Sequence, residues 1–374
     1  MGINMPLRVW MHRFSDGHRI GELTPVDDMS WSHEWCDEGS LDVTIHPRNL
    51  RTSDGRIVPI NWNSLLRKWA VILVITRGDI VEAAGPILDR DWDGEKLKLK
   101  CGDGWSLWNN RFVLNRLLKA HWVDGDILVD EDNPAPEWHL RVNGKTYTDL
   151  IIQVIDESLQ WGAAPYTLPT AVTSPANYTR EYFCWDFATV LDRIQDLTEV
   201  INGPEVWFQP TIDSDNVFQW QLRSGNDIGQ HHYRLHTGSR DSRLDIGSLS
   251  DKAEDMTTQA FGIGGKKDDH TMVVMQQTTP SDGMPVLQTV NKEHSTLGNV
   301  DEMRAYLQED LNRGGEEQES ISVSVDSQLP VVPGDRLTIT VHDDSWIGTA
   351  DYELKVLEIK GGTDATKSLG CRRV

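Results

Sequence analysis

The run Lys96-Leu97-Lys98-Leu99-Lys100-Cys101 constrains this chain more than any other stretch. Charged and apolar side chains alternate at every residue, the period of a strand with one wet and one buried face. Asp93-Gly94, just before it, supplies the positive φ values of a tight hairpin. Ile80 to Asp91 reads as a long strand carrying Gly85-Pro86. Proline cannot donate to a ladder, so that point is an edge or a barrel corner. Across the turn Arg77-Gly78-Asp79 lies the apolar run from Ala70 to Thr76. Trp31 to Cys36 and Leu41 to Ile45, joined by Asp37-Glu38-Gly39, supply an opening pair. Five strands, then Trp105, Trp108 and Phe112 at helical spacing, predict a small antiparallel β-barrel with an aromatic plug over residues 1–115.

Ahead of this barrel core, Arg8 to Phe14 and Arg19 to Leu23 form a hairpin through Ser15-Asp16-Gly17. Pro47 to Asn63 is a polar, turn-rich excursion of the kind that touches a partner. After Phe112 the chain turns acidic and proline-punctuated up to Pro134, which marks a boundary. The middle is helical. Tyr147, Leu150, Ile151, Val154, Ile155 and Leu159 share one helix face, capped by Thr146 with Asp149. A second helix carries Phe187, Val190, Leu191, Ile194, Leu197 and Ile201, with Asp186 as cap and Asn202-Gly203-Pro204 as stop. A hairpin follows from Val206 to Leu222, and a third helix starts at Asn299. Alternation then returns around Ile321 to Val325, Leu337 to Val341 and Tyr352 to Val356, and with the strands near Thr258 to Met275 it predicts a second barrel. The expected fold is mixed β and α+β: two small antiparallel β-barrels flank a helix-containing α+β middle region. The boundaries are 1–115, then 116–247 with 278–316 packing on it, then 248–277 plus 317–374.

Composition narrows the function. No apolar run approaches the roughly 20 residues of a membrane span, and the start, Met-Gly-Ile-Asn-Met-Pro, has no signal-peptide core. Neither membrane insertion nor export from the cytoplasm is expected. A net charge of −22, spread along the chain, repels nucleic acid, although DNA can still pass close by without adsorbing. Cys36, Cys101, Cys184 and Cys371 are too scattered for a metal site and read as buried thiols. His231, His232 and His236 sit among Arg234, Arg240 and Arg243, which disfavours a cation. Gly262 to Lys267 lacks the Walker spacing and leads into a strand, so its glycines punctuate a hairpin. No Gly-x-Ser-x-Gly and no His-Glu-x-x-His occurs. No enzyme activity, catalytic residue, metal or cofactor is therefore expected. The 15 tryptophans read as core or subunit-interface anchors ahead of sugar platforms.

Four stretches, in order, resemble a known family: Trp35 to Ile45, Gly85-Pro86-Ile87-Leu88, Gly203 to Phe208, and Val331 to Leu337 with Tyr352 to Val356. Together they look like the baseplate hub, or tail-associated minor tail protein, of tailed bacteriophages, especially the siphovirus type infecting actinobacteria. The resemblance implies a homotrimer whose two barrels per subunit imitate sixfold symmetry. It implies distal tail and tube proteins above, a tape measure protein in the lumen, tip or fibre proteins below, and DNA passing through at the virion tail tip. Closed symmetry needs contacts between unlike faces, and Trp31, Trp35, Pro47, Trp62, Trp138 and Trp346 are the interface candidates. Two rivals stay open: a cell-wall polysaccharide-degrading enzyme, with two carboxylates facing across a cleft, and a carbohydrate-binding adhesin module with exposed tryptophans.

Overall fold

The computed structural model describes residues 5–48, 50–51, 57–127, 135–237, 244–252, 256–267, 270–280, 283, 285–292, 294, 297–314, 318–344 and 348–374. The first module contains β1 (Leu7–Arg13), β2 (Arg19–Glu22), β3 (Val26–Glu34) and β4 (Asp37–Ile45). Next come the two-residue strands β5 (Leu50–Arg51) and β6 (Ile57–Val58) and the single turn α1 (Trp62–Leu65). The long strands β7 (Val71–Arg77), β8 (Ile80–Trp92) and β9 (Leu97–Cys101) complete it. The lysine run is β9, with Leu97, Leu99 and Cys101 buried and the lysines out. Strands run antiparallel in the order β3-β4-β9-β8-β7-β1-β2. Val9 and Met11 of β1 share one core with Met29 and Trp31 of β3, so the sheet curls around its own apolar face.

Among the described residues no ladder closes this sheet into the expected barrel. The reason lies in β3, whose outer edge is taken by a strand from the far end of the chain, described below. The expected turn at Asp37-Glu38-Gly39 also moves. The strands change direction at Trp35-Cys36, with Cys36 at φ 58°, and Asp37 already belongs to β4. Gly85 marks a corner of the sheet: a Cβ there would lie 1.6 Å from the Gly102 carbonyl oxygen.

Every residue of β7 is buried, because the strand is covered on both faces. Val71, Leu73 and Ile75 point into the first core, whereas Ile72 and Val74 join the core of the middle module. Trp105 and Trp108 belong to that second core. They cover the outside of the sheet and plug nothing, and Phe112 is 48% exposed.

The middle module comprises α2 (Leu118–Asp124), β10 (Leu140–Gly144), α3 (Tyr147–Leu159), β11 (Tyr166–Thr167), β12 (Tyr178–Tyr182), α4 (Val190–Thr198), β13 (Glu205–Ile212) and β14 (Phe218–Gly225). Thr146 and Asp149 form the expected reciprocal cap of α3. For α4 the cap is Thr189 with Asp192, not Asp186. A Thr followed three residues later by an acid satisfies two orphan N–H groups at once, and this outcompetes a lone Asp. Phe187 therefore lies outside the helix, at φ 50°. Past α4, Asn202, the first residue of the expected stop, takes the left-handed conformation at φ 59°.

The last module holds β15 (His232–His236) and β16 (Asp245–Lys252). The chain then leaves it for β17 (Gln259–Lys267), β18 (His270–Gln277), β19 (Gln288–Asn291) and α5 (Val300–Gly314). It returns as β20 (Gln318–Asp326), β21 (Arg336–Asp344), β22 (Gly348–Gly362) and β23 (Thr366–Arg373). The strands over 259–277, expected in the second barrel, pair with each other and with β19 in a sheet of their own. Gly262 and Gly264 lie within β17 and do not mark its turn. Their absent side chains let α5 approach: a Cβ on Gly262 would meet Met303 Sδ at 2.4 Å. The remaining strands run β16-β20-β23-β22-β21-β15, with β15 parallel to β21. Leu244 and Ile246 pack into the same core as Leu235 of β15, so this sheet also curls, and here too no described ladder joins its two ends.

One strand ties the modules together. β22 pairs with β21 and β23, and its end, Glu358–Gly362, pairs with β3 over Ser30–Glu34. The two β-rich modules thus share a continuous sheet.

Candidate functional site

The junction where the three modules meet is the most elaborated part of the molecule. Along the β3–β22 ladder, Trp31 faces Gly361, and a Cβ on that glycine would sit 2.4 Å from the indole. Beside it three charged groups, each under a tenth exposed, bridge the first and last modules. Glu82 accepts from Arg77 Nε at 3.0 Å and from Lys367 Nζ at 3.3 Å. Burial drives the Lys367 amine below its ordinary value, and Glu82 opposes that shift. His33 donates from Nε2 to the Glu82 carbonyl oxygen at 2.7 Å, and burial keeps its imidazole below the usual range.

One further contact ties the middle module to the last, and a second anchors the connection between them. Lys355 is ion-paired with Glu205. Asp335 has no exposed surface, and its carboxylate accepts from the backbone N–H groups of Gln230 at 2.7 Å, His231 at 2.8 Å and Val332 at 2.9 Å. Trp31, His33, Glu82, Trp207, His231 and Lys367 help to line a cleft of about 290 Å³ at this junction.

Two carboxyls have strongly raised values. Burial, then the neighbouring Glu358 side chain, push Glu34 up to about 7. Burial raises Asp103 to about 7, although the N–H groups of Gly39 and Trp105 hold it down from 2.7 and 2.8 Å. Such values mark catalytic acids in clefts, yet neither group lines the junction cleft. The carboxylates that do are Asp79, in an exposed turn, and Glu82, whose two oxygens are taken by Arg77 and Lys367. Among the described residues no group of three His, Cys, Asp or Glu side chains is arranged to hold a metal ion, and no helix is long and apolar enough to cross a membrane.

Five of the six predicted interface residues lie among the described residues. Trp31 lies inside the first core. Trp35, half-buried at the β3–β4 turn, lies under the cations of Lys355 and Arg372, whose charged atoms are 5.7 and 5.9 Å from its ring. Trp62 begins α1 and packs on the first core. Pro47 is half-buried just after β4. Trp138 stacks on His121 at 4.5 Å. Trp346 lies outside the described residues.

Two exposed apolar surfaces stand apart from these. On the middle module Phe187 packs against Phe112 at 5.8 Å and stacks on Trp122 at 6.4 Å, and all three rings are open to solvent. Phe183 and Trp185 stack close by at 5.1 Å. The spacing Phe183, Trp185, Phe187 was the available signal, an alternation just ahead of a capped helix. The second surface is the face of the β17–β19 sheet opposite α5, where Val273, Met275 and Val290 are exposed. The lysine face of β9, by contrast, is neutralised: Lys96, Lys98 and Lys100 pair with Asp27, Asp42 and Asp91 at 2.8, 3.0 and 3.2 Å.

No protein-family model and no curated protein sequence matches the chain. Solved structures do. The tail protein from Neisseria meningitidis MC58 is 13% identical, with 98% of this chain and 96% of that chain covered at a TM-score of 0.54. The 43 kDa tail protein of prophage MuSo2 from Shewanella oneidensis is 12% identical, with 98% of both chains covered and a TM-score of 0.50. A chain of the Francisella PdpA-VgrG complex is 10% identical over 98% of this chain and 52% of its own length, at a TM-score of 0.54. At these identities the likeness is one of fold, and it runs along the whole described architecture.

Proposed function

We infer that this chain is a structural subunit of a phage-tail tip, the hub at the distal end of a tail tube. The observation that carries the reading is the whole-length likeness to tail proteins in a chain whose two β-rich modules are joined edge to edge. Three such subunits present six β-rich modules, which suits a sixfold tube above and a threefold tip below. Tube and distal tail proteins, a tape measure protein in the lumen, and tip or fibre proteins are its partners. The setting is a siphovirus-type tail of a phage that infects actinobacteria. A surplus of 22 negative charges suits a lumen along which DNA slides without adsorbing. The role is non-enzymatic: the junction carboxylates serve as struts between modules.

The test is the mass of the purified assembly in solution. Three chains of 42.3 kDa give about 127 kDa. A particle of one chain, alone and in the presence of purified tube protein, overturns the hub. A mass of three chains that caps tube ends in negative stain supports it.

A further inference from the structure

Among the described residues, the sheet of β17, β18 and β19 pairs with no strand outside itself. Its helix, α5, packs back on β17 and β18. Met303, Leu307 and Leu311 of that helix close over Ala260, Met272 and Val274, in a core continuous with none of the others. Sheet, helix and core make a lobe with an interior of its own. It hangs from the last module by a two-stranded neck. On one side of the neck, Lys252 at the end of β16 pairs with Gln318 at the start of β20. On the other, the Thr257 N–H donates to the Gly314 carbonyl at 2.7 Å. The chain therefore enters and leaves the lobe side by side. Two crossings at one place act as a single hinge, whereas crossings far apart would pin the lobe at both ends.

One flank of α5 rests on the middle module, and the contacts there are polar. Glu302 pairs with Arg180 of β12 at 2.6 Å, their side chains being 19% and 22% exposed. Tyr306 Oη donates to the Asp196 carbonyl of α4 at 3.4 Å. His294 stacks on the Tyr306 ring at 3.6 Å, and Tyr306 is only 5% exposed, so the flank is closed. Modules joined by a large apolar interface move as one body, and modules joined by polar contacts move relative to one another. An ion pair that water reaches exchanges its partner for water at little cost. Arg180 also has a resting place without Glu302, because its guanidinium lies 5.8 Å from the centre of the Tyr147 ring.

We propose that this lobe is an arm that swings about the Thr257–Gly314 neck, with the Arg180–Glu302 pair as the latch that holds it on the middle module. The arm belongs to the single chain, so it stands or falls apart from the assembly proposed above. Arg180→Glu sets a carboxylate against Glu302 and should release the latch. Hydroxyl-radical footprinting should then show a several-fold faster oxidation of Tyr306, with Met272 and Met303 inside the lobe unchanged. Small-angle X-ray scattering should show a larger maximum dimension at unchanged mass. The charge-exchanged chain Arg180→Glu/Glu302→Arg should bring both readings back toward those of the unsubstituted protein. Unchanged Tyr306 oxidation in Arg180→Glu overturns the latch, and so does an exchanged chain that fails to recover. Faster oxidation of Met272 and Met303 along with Tyr306 shows the lobe unravelling and overturns the arm. Faster Tyr306 oxidation at an unchanged maximum dimension confines the change to the contact and overturns the swing.

Discussion

Replacing Glu82 by Gln probes the junction most directly. The substitution keeps size and shape but removes the one carboxylate placed between Arg77 and Lys367, all three side chains being under a tenth exposed. Removing one partner of a buried ion pair costs about 3–5 kcal/mol, because the other charge stays buried without compensation. Here two cations are stranded, and Arg77 Nη2 already lacks a hydrogen-bond partner, so the expected loss is about 4 kcal/mol. With an unfolding entropy of about 2.1 cal/mol/K per residue, 374 residues give a melting temperature lowered by about 5 °C for a single transition. The sign of the pH effect is fixed as well. The folded-state value of Lys367 lies below its ordinary one, so the unfolded chain binds the extra proton and stability gains as pH rises into the lysine range. The deficit of Glu82→Gln should therefore shrink toward alkaline pH, where a neutral Lys367 needs no counter-charge. Adding Lys367→Met should recover part of the loss. Differential scanning calorimetry of the four-member cycle measures all of this. A Glu82→Gln melting temperature within about 1 °C of the unsubstituted protein would refute the idea of a buried, ion-paired joint.

Three other outcomes follow. Gly262→Leu forces a side chain into Met303, and should cost about 1–3 kcal/mol and speed amide exchange in α5, read by hydrogen-exchange mass spectrometry. Asp335→Asn keeps one oxygen for the Gln230 and His231 N–H groups but turns an NH2 toward the Val332 N–H, and should cost about 1–3 kcal/mol in urea unfolding. Glu34, raised from 4.5 to about 7, holds a proton that the unfolded chain releases between those values, so stability should fall as pH climbs through that window. Glu34→Gln should flatten that slope when urea midpoints at pH 5 and pH 8 are compared.

The sequence revealed local structure well and long-range structure poorly. Lys96 to Cys101 alternates because one sheet face is wet, and the Thr146–Asp149 cap needs only three residues; both are visible in a short window. The run Val71–Ile75 announced burial but could not say that its two faces serve different cores. Trp105 and Trp108 were correctly apolar, yet spacing alone assigned them to the wrong side of the sheet. Phe187 fell on a helical stripe that Thr189 cuts short. The β3–β22 pairing, which leaves the first sheet unclosed, links stretches more than 300 residues apart, and nothing local in either strand encodes it. The exposed aliphatic face of β17–β19 was hidden for another reason: its alternating apolar residues look the same whether they face a core or a neighbour.

That pairing between Ser30–Glu34 and Glu358–Gly362 also bears on biosynthesis. The early strands emerge from the ribosome long before their final partner exists, so the edge of β3 waits unsatisfied while more than 300 intervening residues are made. A truncated product ending before residue 358 keeps Trp31 uncovered and its strand edge adhesive. Only a product that reaches Gly362 can bury that edge, so the finished fold of the first module depends on synthesis of the last one.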